Sequence, residues 1–495
     1  MTTPISSIPP LAGLCSFDDA QRTAMSVEEC VARMKRHHYL LSRLHQIFTA
    51  RITAEPLYEL KTAFSHHAYL CSEHVSAYRK RVSELREPPL GLEDVPHAGL
   101  QFACDEVLAS PTTAALLVGL YEVLIPSLIA SLDDYMATTN LLADAPSVRL
   151  MRFCRLELDD MRCFGKRAVA AVVMPFERFD PQDGLDEWME LLRAALASAL
   201  FSRDPKGSDE RGRHIDPERS PSQSLRVAAK HPLTPRFSAT PYRYDRVPRR
   251  DARFHDSYNA GVNPEAFLYD ERFSPRDKVL MLYYKRLREI DVPEMMASIL
   301  HETPGKPWEF YADMTRQLWD EARHAMLGEV GFVNLGLDWS QIPINFTWSL
   351  NLNTQLTPQE RHAVLFFIEQ GLMPKTGKRY EWEVGRASGV PLAALIQDFD
   401  WADEVLHAQI GRQWYVADYG DLKPAMDYGD RCWSKVMSHW RDYRDRGLTQ
   451  HRNWWPDLYR VACERWGVAP DPQALAFHET YEDTRADLKA ISASG

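Results

Sequence analysis

The spacing of apolar side chains along the chain predicts helices over most of its length. In the first 200 residues, apolar positions recur every three or four residues over four long stretches, and the alternation typical of strands is scarce. These stretches are 26–49, 55–86, 112–138 and 145–172. We therefore expect residues 1–200 to form a bundle of long helices.

The periodicity stops between residues 201 and 272. This part of the chain is rich in Pro, Arg and Asp and shows no sustained helical or strand pattern. Charged, Pro-rich segments are typically solvated, so we expect a linker or an arm that wraps around the protein. The alternative is that its arginines form an anion-binding surface.

A second set of helices follows, and two of them have recognisable starts. Ser274 can cap a helix that has Pro at its first position and Asp277 at its positive end. Thr357 and Glu360 form a capping box. Residues 419–495, rich in Trp and Tyr, are expected to add helices packed on this bundle. The other predicted helices are 274–301, 308–335, one that starts at 357, a short one near 378–388 and a long one over 391–418.

Composition and charge limit the classes of partner. The 495 residues are 45% hydrophobic and 26% charged, which is ordinary for a globular protein of two or three domains. The formal charge of -11 argues against a nucleic-acid partner, because such proteins usually carry a basic surface. Small molecules or other proteins are the expected partners, and a homodimer is one alternative.

The sequence predicts neither export nor membrane insertion. The start of the chain lacks the basic and apolar regions of a secretory signal, so we expect a cytoplasmic protein. The stretch from Thr112 to Leu132 is apolar enough to span a membrane. It contains Glu122 and Pro126, however, which favour a buried bundle helix over a span.

Two copies of one motif carry the candidate chemistry: Asp320-Glu321-Ala-Arg-His324 and Asp403-Glu404-Val-Leu-His407. On a helix, Glu and His three residues apart lie on one face and can reach the same ion. About one Glu-x-x-His is expected by chance in such a chain, but only about 0.1 Asp-Glu-x-x-His, so two copies are difficult to attribute to chance. The motifs therefore predict two helices that present metal ligands.

Each motif is preceded by a helix with a glutamate at a corresponding depth. Glu289 lies 32 residues before Glu321, and Glu369 lies 35 residues before Glu404. Two Glu-x-x-His helices and two further glutamates form the ligand set of a carboxylate-bridged dimetal site in a four-helix bundle. Carboxylate and imidazole ligands suit two Fe ions or a Mn/Fe pair. Glu294, which points away from Glu289 on the same helix, is the alternative first ligand.

Other residues near the ligands have predicted supporting roles. Ligating histidines usually donate their second ring proton to a carboxylate, so we expect Asp320 to support His407 and Asp403 to support His324 across the bundle. Pro293 should disturb the first helix near its glutamate ligand. The alternative is that the motifs are ordinary surface pairs, but their glutamates have apolar neighbours, and buried acids require a partner.

The motifs resemble those of a known superfamily. The doubled Asp-Glu-x-x-His is similar to that of methane-monooxygenase-type hydroxylases, the ribonucleotide-reductase small subunit, rubrerythrin and other ferritin-like proteins. Five segments more closely resemble a bacterial ferritin-like family of unknown function: 288–294, 310–313, 319–324, 368–372 and 403–415. The resemblance covers residues 273–418 and implies a ferritin-like bundle with a dimetal site, without implying a reaction. The chain departs from that family in lacking a His two residues before Glu289.

The first half of the chain contains a candidate internal repeat. Glu122, Glu157 and Asp160 each lie 247 positions before one of the ligands Glu369, Glu404 and His407. Leu70 stands where the repeat requires a histidine. We therefore expect a buried polar remnant in this half, and a mononuclear site that also uses His67 is the alternative.

These observations predict an all-α protein with a duplicated ferritin-like bundle. The expected order is a degenerate bundle over 1–200, the arm over 201–272, the dimetal bundle over 273–418 and a helical extension over 419–495.

The leading functional hypothesis is a di-iron oxidase or oxygenase that activates O₂ to oxidise a small organic substrate, with an electron donor. The second hypothesis is a ferroxidase or iron-handling protein, although ferritins use one small bundle per chain. The third is a non-catalytic scaffold that keeps metal for stability.

Overall fold

The computed structural model describes residues 8–173, 184–201, 233–437 and 440–481. Within these ranges the regular structure is helical and no strand occurs, as the apolar spacing predicts. The chain divides into two compact units. The first comprises Met1–Ile47 and Leu70–Arg243, and the second comprises Phe48–Tyr69 and Tyr244–Gly495.

The described part of the first half of the chain contributes eight α-helices. A π-helical turn, Gly119–Leu124, joins the fifth of these to the sixth. The long helices lie within three residues of their predicted bounds, whereas the first, the fourth and the eighth were not predicted. The eight helices are α1 (Phe17–Gln21), α2 (Val27–Arg51), α3 (Tyr58–Leu85), α4 (Ala98–Leu108), α5 (Thr113–Val118), α6 (Ile125–Thr138), α7 (Ala145–Val173) and α8 (Leu185–Phe201).

The first unit is held together by packing among its later helices. α4 packs against α8, and α7 packs against α5 and α6. Among the described residues, one helical stretch, Thr113–Thr138, is long and apolar enough to cross a membrane, and 78% of its most apolar window is buried inside the protein. Such burial is typical of a core helix.

The second unit contains the remaining helices of the described chain. They are α9 (Pro264–Leu268), α10 (Pro275–Arg288), α11 (Asp291–Glu302), α12 (Trp308–Asn334), α13 (Thr347–Gln355), α14 (Pro358–Gly371), α15 (Lys378–Ala387), α16 (Pro391–Trp414), α17 (Leu422–Met437), α18 (Trp440–Asp445), α19 (Trp455–Trp466) and α20 (Pro472–Leu475).

Helices α11, α12, α16 and α14 form what we call the four-helix core of the second unit. α11 contacts α12, α12 contacts α16, α16 contacts α14, and α14 contacts α11. α10 precedes α11 and packs along α12, while α15 lies against α10 and α16. Side chains from several helices can therefore converge on the interior of this core.

Two predicted helix starts are confirmed. At the start of α10, Asp277 N donates to Ser274 Oγ at 3.2 Å, and Pro occupies the first position. At the start of α14, Thr357 and Glu360 form the capping box with distances of 2.8 and 3.3 Å. These caps satisfy backbone N–H groups that have no partner within the helix.

The predicted single helix over 274–301 is wrong in one respect. It is divided into α10 and α11, with Glu289 as the C-terminal cap of α10 and Ile290 as the residue before α11. Pro293 lies in the first turn of α11 and has no N–H to donate to the carbonyl of Glu289. The division is therefore located where the proline was expected to disturb the helix.

α10 and α12 approach each other closely at Gly328. A Cβ atom on Gly328 would lie 2.3 Å from the backbone N of Leu287 and 2.7 Å from the carbonyl O of Tyr283. Only glycine allows two backbones to come this close without displacement. The contact holds the end of α10, where Glu289 lies, against α12.

From residue 244 onward the arm belongs to the second unit, and 202–232 lies outside the described residues. The expectation of a solvated arm is wrong at Arg250. Its buried guanidinium contacts Asp291 and lies 3.0 Å from Glu294 Oε2. Arg250 thus binds acids of its own chain. The alternative, in which the arginines of the arm form a surface for an anion, did not predict this contact.

Candidate metal centre

All six predicted ligands meet inside the four-helix core and at the end of α10. They belong to two groups of candidate ligand atoms, and within each group all atoms lie within 4.8 Å of one another. The first group is Glu289, His324, Asp400 and Glu404, and the second is Glu321, Glu369, Glu404 and His407. Glu404 belongs to both groups. The arrangement therefore offers buried carboxylate and histidine clusters that could hold metal.

The two histidines face the cluster through Nδ1. His324 Nδ1 is 3.5 Å from Glu289 Oε2 and 3.6 Å from Glu321 Oε2. His407 Nδ1 is 3.2 Å from Glu321 Oε1 and 3.6 Å from Glu404 Oε2. Glu321 therefore presents one oxygen to each histidine.

The Nε2 atoms point to the aspartates of the opposite helices. His324 Nε2 is 3.1 Å from Asp403 Oδ2, and His407 Nε2 is 3.4 Å from Asp320 Oδ2. Both predicted pairs are present. Arg323, the variable residue inside the first motif, contacts Asp320 and donates from Nη2 to Asp403 Oδ2 at 2.8 Å. These contacts fix the orientation of both imidazole rings.

Four inward-facing atoms have no hydrogen-bond partner among the described residues. They are buried: Nδ1 of His324, Nδ1 of His407, Oε2 of Glu289 and Oε2 of Glu404. Most buried polar atoms in proteins are hydrogen-bonded, so a convergent set without partners requires an explanation. Imidazole nitrogen and carboxylate oxygen are ligand atoms for Fe and Mn, and the donor set fits such ions.

Sequence reasoning missed three charged groups of the site. Asp400 lies one turn before Glu404 on α16, a spacing that places both on one helix face and could have revealed it. Lys378 Nζ is 2.9 Å from Asp400 Oδ1 and 2.8 Å from Glu404 Oε1. Arg286 contacts Asp400 and lies 2.8 Å from Glu289 Oε1. Arg286 lies three residues before Glu289 on the same helix, a spacing that could also have revealed it. No local pattern indicates Lys378, because it reaches the site from α15.

The electrostatics of the cluster favour positive charge at the two histidines. Burial disfavours a protonated His324, but the neighbouring Asp403, Glu289 and Glu321 outweigh it and raise its pKa to about 10. The pKa of His407 is also raised, by Asp320, Glu321 and Glu404. Metal ligation requires neutral histidines, so binding a metal here must displace these protons.

Two glutamates of the second group titrate in opposite directions. Burial and the adjacent charge of Glu404 raise the pKa of Glu369 well above its usual value. Burial also acts to raise the pKa of Glu321, but His324 and His407 outweigh it and lower that pKa to about 2. Gln317 Nε2 donates to Glu369 Oε1 at 3.0 Å and fixes this carboxyl group. Glu369 therefore takes up a proton more readily than its neighbour Glu321.

Glu294, the alternative first ligand, lies outside the cluster. Its Oε1 is 2.9 Å from Lys61 Nζ, and its Oε2 is 2.7 Å from Ser349 Oγ. With Arg250 as a second cation, Glu294 is a neutralised buried carboxylate. Of the two candidates on this segment, Glu289 is the one near the histidines.

A cavity of about 300 Å³ borders the cluster. Four cluster acids line it, and much of the remaining wall is apolar or aromatic. The acids are Glu289, Glu321, Glu369 and Glu404, and the apolar lining includes Val292, Met295, Trp348, Leu365, Phe367 and Leu372. A larger cavity of about 800 Å³, bordered by residues 336–343 and 447–465, contains no member of the cluster.

The candidate repeat in the first half does not form a second cluster. Within the described ranges, no candidate metal group contains His67, Glu122, Glu157 or Asp160. Asp160 is exposed, and Glu157 Oε2 lies 2.7 Å from His74 Nε2. The expectation of a buried polar remnant is therefore wrong for Asp160 and for the partly exposed Glu122 and Glu157.

Comparisons with protein-family models, with curated protein sequences and with solved structures gave no significant match. The functional interpretation therefore depends on the side chains of the cluster and on the cavity beside it.

Proposed function

We propose that the four-helix core is a ferritin-like bundle that binds two Fe ions or a Mn/Fe pair, and that the protein is an oxidoreductase that uses O₂ to oxidise a small organic substrate. The observation that carries this proposal is the set of four buried ligand atoms without hydrogen-bond partners. They belong to two groups that share Glu404, which supports two adjacent metal positions.

The cluster residues can be assigned to two metal positions. Glu289, His324 and Asp400 would hold one ion, Glu369 and His407 the other, and Glu321 and Glu404 would contact both. Metal bound there would supply the redox chemistry with dioxygen, with electrons from an external donor.

The chain's own groups supply binding and orientation. Asp320 and Asp403 keep the Nδ1 atoms of the histidines directed inward. Glu369 lines the cavity, and because its pKa is raised it would release any proton it holds when it binds the ion. Burial acts to raise the pKa of Glu404, but the Lys378 ammonium, Glu369 and His407 outweigh it and lower that pKa.

The cavity supports oxidation of an organic substrate over iron storage. An apolar wall excludes water and suits a substrate with carbon–hydrogen bonds. Hydrated iron, the substrate of a ferroxidase, gains nothing from such a wall. The scaffold alternative requires no cavity at the cluster.

One experiment tests this proposal. The metal-free full-length protein is loaded anaerobically with Fe(II), the iron per chain is counted, and the near-ultraviolet and visible spectrum is followed after O₂ is added. We expect about two irons per chain and a transient absorption change. Two irons with no response to O₂ would favour the scaffold, and many irons per chain would favour storage.

The ligand assignment is tested in the same assay with variants. His324→Ala and Glu404→Ala should lose iron, whereas Glu383→Ala, at an exposed position on α15, should retain it. If both cluster variants kept two irons per chain, the assigned ligands would be wrong.

A further inference from the structure

The cavity beside the cluster also contains cationic side chains. Lys285 and Arg288 line it together with Glu265 and Tyr481. Lys285 is compensated, because its Nζ contacts Glu381 and lies 3.4 Å from Glu265 Oε1. Its charge is therefore already used within the protein.

In the described part of the chain, Arg288 has no carboxylate in direct contact, and the nearby charge of Glu265 is separated from it by the Tyr481 hydroxyl that both contact. Its Nη2 donates to the Tyr481 hydroxyl at 2.9 Å, and its guanidinium lies 5.8 Å from the ring of Tyr284 and 5.5 Å from that of Tyr481. Across the described ranges, no carboxylate oxygen lies within 4.0 Å of its nitrogens. A half-buried guanidinium that is held by neutral groups retains N–H donors for an anion.

Each acid that lines the cavity either belongs to the metal cluster or pairs with a cation other than Arg288. Four of them belong to the metal cluster. Glu265 accepts from the Tyr481 hydroxyl at 2.8 Å and pairs with Lys285, and Asp291 pairs with Arg250. Among the described lining residues, Arg288 is therefore the charged group with no oppositely charged side chain in direct contact.

The remaining lining defines the rest of the ligand. Val292, Met295, Leu365 and Phe367 offer aliphatic and aromatic surface and no charge. The volume of about 300 Å³ equals that of roughly ten waters, at about 30 Å³ each in the liquid. A ligand of roughly ten non-hydrogen atoms, apolar except at one end, matches this space.

We propose that the cavity binds a small amphipathic carboxylic acid, with its carboxylate on the Arg288 guanidinium and its apolar body along the wall that leads to the cluster. This inference rests on the proposed function in taking the cavity as the substrate site. Arginine pairs with carboxylate through two parallel N–H donors, which fixes the orientation of the ligand as well as its affinity.

The test uses octanoate as the probe, with octanol, octylamine and octyl phosphate as probes of the same chain length. Binding to the full-length, iron-loaded protein is measured by isothermal titration calorimetry under anaerobic conditions. We expect octanoate to bind at least about tenfold more tightly than octanol, as one charge-assisted hydrogen-bonded contact predicts. Tighter binding of octanol, octylamine or octyl phosphate than of octanoate would overturn the proposal.

Variants locate the carboxylate. Arg288→Gln should lose the preference for octanoate over octanol, and Arg288→Lys should retain part of it. Arg386→Gln, at an exposed position on α15, should leave it unchanged. An unchanged preference in Arg288→Gln would overturn the assignment of the carboxylate to Arg288. The comparison of the four probes uses the wild-type protein, so it tests the proposal even if a variant fails to fold.

Failure of this inference is distinguishable from failure of the proposed function. Iron per chain and the response to O₂ are measured in the same preparations. Preferential octanoate binding without a response to O₂ would retain the acid site and refute the oxidase. A response to O₂ without an octanoate preference would retain the oxidase and refute the acid site.

Discussion

Asp403 acts through His324, because it contacts Nε2 while Nδ1 faces the cluster. Asp403→Asn keeps the size of the side chain and removes the charge that orients the imidazole. We expect the affinity for Fe(II) to fall by about 10- to 100-fold, the usual cost of losing such a supporting carboxylate. Anaerobic titration against a competing ferrous chelator measures this change.

The matched control is Asp398→Asn, at an exposed position on the same helix. It removes the same charge without touching a histidine, so its affinity should equal that of the wild type. Wild-type affinity in Asp403→Asn would show that the contact with His324 has no supporting role.

Among single residues, the sequence could predict which side chains share a helix face with a ligand, because helix geometry sets their spacing. Glu321 and His324 share a face because three residues advance the helix by about 300°. The same rule would have found Asp400, four residues before Glu404. It could not find Lys378, since which side chain from a neighbouring helix reaches the site depends on packing.

The capping box of α14 is a local element whose contribution can be measured. Thr357→Ala removes the oxygen that accepts from Glu360 N, and the first turn should lose about 1 kcal/mol. That loss corresponds to about fivefold faster amide exchange in the first turn of α14. Hydrogen exchange with mass spectrometry on peptides that cover residues 357–371 reports it.

Thr354→Ala is the control, because Thr354 is exposed near the end of α13 and bonds only to a carbonyl of its own helix. Its effect on exchange in α14 should be negligible. Equal exchange in both variants would mean that the capping box does not stabilise this turn.

Two helix starts followed from local chemistry, while one property of the arm did not. Serine, threonine and proline at a helix start act within four residues, so they can be read directly. Arg250 looks like part of a charged connector, but it is buried against acids some 41 and 44 residues later in the chain. Such a long-range ion pair leaves no periodic signal.

Acid should destabilise the folded protein through four buried histidines whose pKa values are lowered. Burial lowers the pKa of His362 and His45 to about 4 and that of His38 and His67 to about 3. These rings stay neutral in the folded protein but take up protons below about pH 6.5 when unfolded. Their contribution is therefore complete above pH 6.5 and is lost as the pH falls toward 4. Urea unfolding between pH 7.5 and 4.5, with chelator present, measures it.

His362→Gln isolates one of these groups. It should reduce the slope of unfolding free energy against pH between about 4 and 6.5 by about 1.4 kcal/mol per pH unit, the value for one proton. His255→Gln, at an exposed histidine, should leave the slope unchanged. Equal slopes in wild type and His362→Gln would contradict the burial of a neutral ring.

The all-helical fold could be predicted from the recurrence of apolar residues every three or four positions, which nearly every long helix displays. Assignment of residues 48–69 to the second unit did not, because α2 and α3 read as continuous helices of the first half. Lys61, which lies on α3 and pairs with Glu294, shows why. Contacts between residues far apart in the chain decide which unit a segment joins.

The close approach at Gly328 has an evolutionary consequence. Because α10 and α12 meet there backbone to backbone, any side chain at this position would push Glu289 away from His324. Drift at Gly328 should be rarer than drift at most core positions, where one apolar residue can replace another. Distant homologues of this chain would then be recognised by a glycine four residues after the first motif histidine, even where the surrounding helix has diverged.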